Sequence, residues 1–156
     1  MSETSPPKKA PVRFQRGNFV VADLDRALTF YEGVLGFEIE YRLGDNPDSY
    51  SRPVFDISAK AKLGFVTLNL PGQRRVMALT EIKGIPLEPV PHPRRNAIVL
   101  ETQDPDAVMA GARALGLTVY KEEVLKTPDG RVGREIGIVD FDDNLIVIYN
   151  FPEGIA

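Results

Sequence analysis

The chain has 156 residues, about the length of one ordinary domain, and its 43% hydrophobic and 26% charged content is that of a soluble globular protein rather than a disordered one. Lys and Arg number 19 against 22 Asp and Glu, and the resulting net charge of −3 gives no field that would draw the chain onto nucleic acid or an anionic membrane. With no cysteine there is no disulfide, no thiolate metal site and no thiol nucleophile.

Residues 1–11, MSETSPPKKAP, hold three prolines and almost nothing to bury, so they read as a flexible tail. They also lack the apolar core of a signal peptide, and nowhere is there a run of about 18 apolar residues that could span a bilayer. A cytoplasmic protein is expected. Residues 13–22 read as a strand, and Asp23 follows where an N-cap is wanted, its carboxylate able to accept from the amides of the next turn. A helix starts at about Leu24. Leu24, Ala27, Leu28, Tyr31 and Leu35 make one apolar stripe at helical spacing, and Gly36 is placed to end it in the left-handed region.

Strands are then expected over 38–43, 64–70 and 75–81, the last two joined by a Pro71-Gly72 turn. The segment 44–62, GDNPDSYSRPVFDISAKAK, is long for a structureless connection, and reads either as a lid over a site or as a surface loop. KGIPLEPVPHPRRN carries four prolines and reads as an extended connector. Beyond it the order repeats: a strand around 96–101, Asp104 as N-cap, Pro105 at the first helical position, Val108, Ala112 and Leu115 on one helix face, and Gly116 as terminator. Strands over 118–125, 134–140 and 145–150 complete it, with turn signals at Pro128-Asp129-Gly130 and Asp142-Asp143-Asn144. The chain therefore reads as α+β, two tandem βαβββ modules of one domain spanning 12–152: module 1 at about 12–83, a linker at 84–95 and module 2 at about 96–152.

The paired modules, the entry VVADLDRALTFYEGVLGF and the exit VDFDDNLIVIYNF resemble the vicinal oxygen chelate superfamily, which includes glyoxalase I, extradiol dioxygenases and bleomycin-resistance binding proteins. The resemblance covers about 13–151. It implies one cup-shaped, eight-stranded mixed sheet around a cavity, and a homodimer. It also implies a divalent metal in most of the enzymes, held by a residue seven before each helix-capping Asp and by a Glu in the last strand of each module. Here those positions hold Arg16, Ala97, Ala78 and Val147. A guanidinium offers donors only, and alanine and valine have no lone pair, so none of the four is a ligand. A slip of one residue would present Gln15 but would turn Phe19 and Val21 to the wrong face. His92 lies in the proline-rich connector, Glu81 near a strand end and Asp140 in a turn, and no three or four ligands visibly converge. No metal and no cofactor are expected.

What remains is one fixed positive charge among small side chains. Alternation puts Arg16, Asn18 and Val20 on one face of the first strand, and Ala97, Val99 and Glu101 on the equivalent face of the fifth. With Ala78, Val147 and a lid residue, Tyr50, these form a candidate pocket for a small anionic or aromatic organic molecule anchored by Arg16. The competing reading neutralises Arg16 with Glu101, Glu81 or another acid, since a buried guanidinium needs an answering anion. Tyr31 reads as core, Tyr41 as a possible donor, and the pairs Arg74-Arg75 and Arg94-Arg95 as solvated. No nucleophile elbow, phosphate loop or dinucleotide fingerprint occurs. The function expected is a metal-free small-molecule binding protein. The alternatives are a metal-independent lyase or isomerase, with Arg16 and Glu101 as catalytic candidates, and a glyoxalase-like metalloenzyme with atypical ligands.

Overall fold

The computed structural model describes residues 10–152; most of the expected tail, 1–9, lies outside them. The two longer helices begin on the residues that local chemistry marks, although the first ends at Tyr31, short of the expected Leu35. Helix α1 (Leu24–Tyr31) is capped by Asp23, whose carboxylate accepts from the Arg26 amide, and α3 (Pro105–Ala114) by Asp104, which accepts from the Ala107 amide. Gly36 and Gly116 follow them at φ of 81° and 76°, a left-handed backbone that a side chain would strain.

The strands form two sheets. In the first, β1 (Gly17–Val21), β2 (Glu38–Leu43), β3 (Lys62–Leu70) and β4 (Gln73–Lys83) lie in the order β1-β4-β3-β2, with β1 parallel to β4 and the other pairs antiparallel. In the second, β5 (Ile98–Glu101), β6 (Thr118–Val119), β7 (Glu123–Lys126), β8 (Val132–Val139) and β9 (Leu145–Asn150) lie in the order β5-β9-β8-β6, with β7 also on β8 and β5 parallel to β9. The halves share one topology, and both sheets are mixed. The sixth expected strand, over 118–125, is divided into β6 and β7, so the described residues hold nine strands rather than eight. The edge strands β1 and β5 approach at Gly17, where an added Cβ would lie 3.3 Å from the Ile98 side chain, tighter than an ordinary contact.

One core serves both halves. Phe19 and Val21 of β1, Val66 and Leu68 of β3, and Met77 and Leu79 of β4 pack under Leu24, Ala27, Leu28 and Tyr31 of α1. The same cluster runs on through Val108, Met109 and Ala112 of α3 to Ile136, Ile138, Ile146 and Ile148. Strand alternation then leaves Asn18, Ala78, Thr67, Val99 and Val147 on the sheet faces away from the helices.

The segment 44–62 is built rather than wandering. A short helix, α2 (Ser51–Val54), interrupts it, and Arg52 holds its two ends, donating to the Asp45 carboxylate at 2.8 Å and the Ala61 carbonyl at 3.0 Å. Asp45 in turn accepts from the Leu63 amide at 2.9 Å. Ile57 and Ala61 pack with Leu63 and Ile82, and Ile85 and Leu87 of the linker join them. Loop and linker thus cover one end of the first sheet's helix-free face.

Candidate functional site

The register shows how the candidate positions meet. Asn18 of β1 lies opposite Ala78 of β4, and Ala78 opposite Thr67 of β3, so the three form a row across the first sheet. In the second sheet Val99 lies opposite Val147, and Glu101 opposite Tyr149. Asn18 accepts a hydrogen bond from the Thr80 hydroxyl at 3.0 Å. Ala78 is fully buried, Val147 half-buried and Ala97 exposed, while Val99 is 60% exposed.

Arg16 stands two residues before Asn18, and alternation puts it on the same face. Its side chain is half-buried, and Nη1 is buried with no hydrogen-bond partner among the described residues. Neither acid that could have neutralised it does so. Glu81 lies on the helix side, where its carboxylate accepts from the Leu24 amide at 2.6 Å and stands 3.6 Å from Lys83 Nζ; Glu101 accepts from the Gln103 side chain at 3.2 Å. In the same row the Thr67 hydroxyl is also buried and unpartnered among the described residues. Leaving a polar group so costs about 1–3 kcal/mol, and two on one face mark a place where something polar belongs.

Two cavities lie nearby, the first walled in large part by the core-side residues Phe37, Met77, Ile98 and Leu100. One, of about 220 Å³, sits at the β1/β5 seam against Gly17, Met77, Ala97, Val99 and Phe14, and its lining is mostly apolar. The other, of about 200 Å³, lies between loop and sheet, lined by Leu43, Phe65 and Thr80 on one wall and Asn46, Ser49 and Ser51 on the other. Of the expected pocket residues only Ala97 and Val99 line either. Tyr50 is 79% exposed and turns away from the second cavity between the two serines that line it.

Other expectations resolve into bonds. Tyr31 is core, and its hydroxyl donates to Asp140 at 2.8 Å, burial and that carboxylate together raising its pKa well above the ordinary tyrosine value. Asp140 belongs to the turn, accepting from the Asp142 and Asn144 amides at 2.8 Å. His92 is exposed, 3.2 Å from Asp143. The arginine pairs are not merely solvated: Arg94 is 19% exposed and bonded to Asp143 and the Tyr120 hydroxyl. Arg74 and Arg75 both donate to Glu40, and these guanidiniums, Arg74 first, hold its carboxyl down to about 2.

A divalent metal needs three or four convergent lone pairs. Arg16, Ala78, Ala97 and Val147 supply none, and among the described residues no three His, Asp or Glu side chains are grouped to hold an ion. The residues present do not fit a metal of the usual kind at the usual positions.

Residues 13–148 match the family model of the glyoxalase/bleomycin resistance protein/dioxygenase superfamily. The chain belongs to this superfamily. No curated protein sequence matches it. Among solved structures, the superfamily fold is shared with a glyoxalase family protein from Bacillus cereus, with 17% identity over 94% of this chain and 99% of that one and a TM-score of 0.70. An antibiotic-binding protein from Streptomyces sp. CB03234 matches with 22% identity over 92% and 99% of the two chains and a TM-score of 0.54. The fosfomycin resistance protein FosX from Listeria monocytogenes, solved with Mn(II) and a dihydroxypropylphosphonic acid, matches with 21% identity over 86% and 89% and a TM-score of 0.58. At these identities the likeness establishes the superfamily fold and leaves the chemistry to the site. No helix among the described residues is long and apolar enough to cross a membrane.

Thr67 and Thr80 escaped the sequence reading. Their signal is faint but present: each is the lone hydroxyl in an otherwise apolar strand segment, GFVTL and VMALT.

Proposed function

We propose that the protein is a metal-free small-molecule binding protein of the superfamily, cytoplasmic, whose ligand carries a carboxylate, phosphonate or similar anion to Arg16 and an apolar or aromatic body to the seam. The observation that carries this reading is Arg16 Nη1, buried and unpartnered among the described residues, in a segment whose Phe14 and Gly17 line a mostly apolar cavity together with Ala97 and Val99. A guanidinium in that state gains most from an anion that reaches it through two hydrogen bonds. The hydroxyl of Thr67 supplies a further donor on the same face. An acid–base role would need a carboxylate near Arg16, and Glu101 is bonded instead to Gln103, so binding is preferred over turnover.

Calorimetry with benzoate and phenylphosphonate, and with benzyl alcohol as the neutral control, tests it on the wild type and on Arg16→Ala and Arg16→Gln. Saturable binding of one of the anions, weakened about tenfold or more in both variants, is expected, since a charge-assisted hydrogen bond contributes about 1.5–3 kcal/mol. Equal affinity in wild type and variants would make Arg16 structural. Elemental analysis of the purified protein showing one equivalent of zinc, nickel, iron or manganese would overturn the metal-free part. The same reading takes the protein as a homodimer, supported by the superfamily resemblance and by the apolar Phe14 and Val99, 78% and 60% exposed at the seam. Sedimentation velocity should give about twice the 17.3 kDa of one chain, and a monomer at tens of micromolar would remove it.

A further inference from the structure

The seam between the two modules is asymmetric at one place. Gly17 and Ile98 are equivalent in the repeat: each stands six residues before the Asp that caps its module's helix, and each lies opposite a last-strand residue, Met77 or Ile146. Module 2 thus brings a branched side chain to the seam where module 1 brings none. Among the described residues no strand pairing joins β1 to β5, so side chains alone can close the line between them.

The backbone does not require glycine here. Gly36 and Gly116 have left-handed φ, but Gly17 is not among the positive-φ residues, so its conformation is open to any residue. A glycine inside a strand without that need marks a close approach by another backbone or by a ligand. What the missing side chain leaves is space. Gly17 lies in the wall of the 220 Å³ cavity, where a Cβ would stand 3.3 Å from Ile98 Cγ2 and 3.5 Å from Met77 Sδ, two other lining residues. The lining comes from both sides of the seam: Ala97 and Val99 from the face that alternation gives Arg16, Met77 and Ile98 from the core side. It runs from the exposed Phe14 and Val99 to Met77 and Phe37, both buried in the central cluster. None of the described residues that line it carries a charged or hydrogen-bonding side chain.

We propose that Gly17 is the specificity-determining residue of the binding site: by omitting a side chain it opens the seam to one aromatic ring, which passes between β1 and β5 and rests on Met77 and Phe37. The anchoring of the ligand's anion rests on the reading of Arg16 given above; the place of the ring does not. A cavity of about 150 Å³ holds benzene, so this one admits a single ring with a short substituent. Water has no side-chain partner there to hold it, and the Met77 thioether offers a favourable contact to a ring.

Methyl NMR of the full chain, carrying carbon-13 in its methionine methyl groups, tests this with phenylphosphonate, methylphosphonate and toluene. Ring current should shift the Met77 methyl resonance with phenylphosphonate and with toluene, while methylphosphonate, the anion without the ring, leaves it in place. Phenylphosphonate should bind about tenfold or more tighter than methylphosphonate, as expected for burying one apolar group of that size. Gly17→Ala should reduce that ratio several-fold. Ala97→Phe, which fills the cavity from an exposed position and spares the core, should abolish both the ratio and the Met77 shift. If the anchor fails and the ring site stands, methylphosphonate does not bind and toluene still moves Met77. If the ring site fails, the Met77 methyl stays in place with toluene and phenylphosphonate alike, whatever the affinity for methylphosphonate, and the proposal is overturned. An unchanged phenyl-to-methyl ratio in both Gly17→Ala and Ala97→Phe would overturn it as well.

Discussion

At the scale of single residues, the first strand carries two opposite anomalies, Arg16 before its start and Asp142 packed beyond its end. Both are charged groups with one buried atom unpartnered among the described residues. Arg16 was legible from the sequence because its position follows from counting back from a helix cap. Asp142 was not, since Asp142-Asp143-Asn144 reads as a turn and nothing local tells a turn carboxylate in water from one 7% exposed. The cost of holding Asp142 charged makes a prediction with a definite sign. Its folded pKa lies above the ordinary 3.8, so the charged form opposes folding above the folded pKa, and this penalty is relieved as pH falls through that value toward 3.8. Asp142→Asn removes a titratable group, and denaturant unfolding should show it gaining stability relative to the wild type at neutral pH, with the difference shrinking in acid. A variant less stable than wild type at neutral pH, with a gap that closes in acid, would place Asp142 in a favourable ion pair instead.

Elements show why the caps and terminators were readable while the fold of the 44–62 segment was not. Asp23, Asp104, Gly36 and Gly116 act on backbone groups within a few residues of themselves, so sequence spacing suffices. The loop over 44–62 is fixed by Arg52 reaching Asp45 and Ala61, seven and nine residues away, and by packing on Ile82 in another strand, none of which has a local signature. The division of the expected 118–125 strand is of the same kind: Tyr120 donates its amide to Gly137 and its side chain leans on that glycine, bending the chain between β6 and β7. Contact between the helical regions is similarly nonlocal. A Cβ on Gly111 of α3 would stand 2.9 Å and 3.0 Å from the two γ-methyls of Val34. Alanine gains about 1 kcal/mol of helix propensity there, but overpacking costs about 1–3 kcal/mol, and a β-branched side chain has little room to yield. Gly111→Ala should therefore destabilise the protein, whereas in a Val34→Ala background it should become neutral or stabilising; additive effects across that cycle, read from denaturant midpoints, would show that the two residues do not touch.

For the whole molecule, the two modules are bonded across their seam by one turn. Ala22 donates to Asp142, Asn144 donates to the Val20 carbonyl at 3.1 Å, and Tyr31 donates to Asp140, so the last turn of module 2 holds the start of module 1. With the hydrophobic cluster continuous from Phe19 to Ile148, the halves form one body. The sequence by itself determined the superfamily, the βαβββ repeat and the capped starts of α1 and α3. These rest on periodicity, caps and counted spacing, which are properties of neighbours along the chain. Only the tertiary structure decided that neither Glu101 nor Glu81 answers Arg16, that Thr67 shares its face, that loop and linker close one end of the sheet, and that Asp142 is buried with a free oxygen. Partnership and burial depend on which strands lie side by side, and the pairs that matter here are separated by tens of residues of chain.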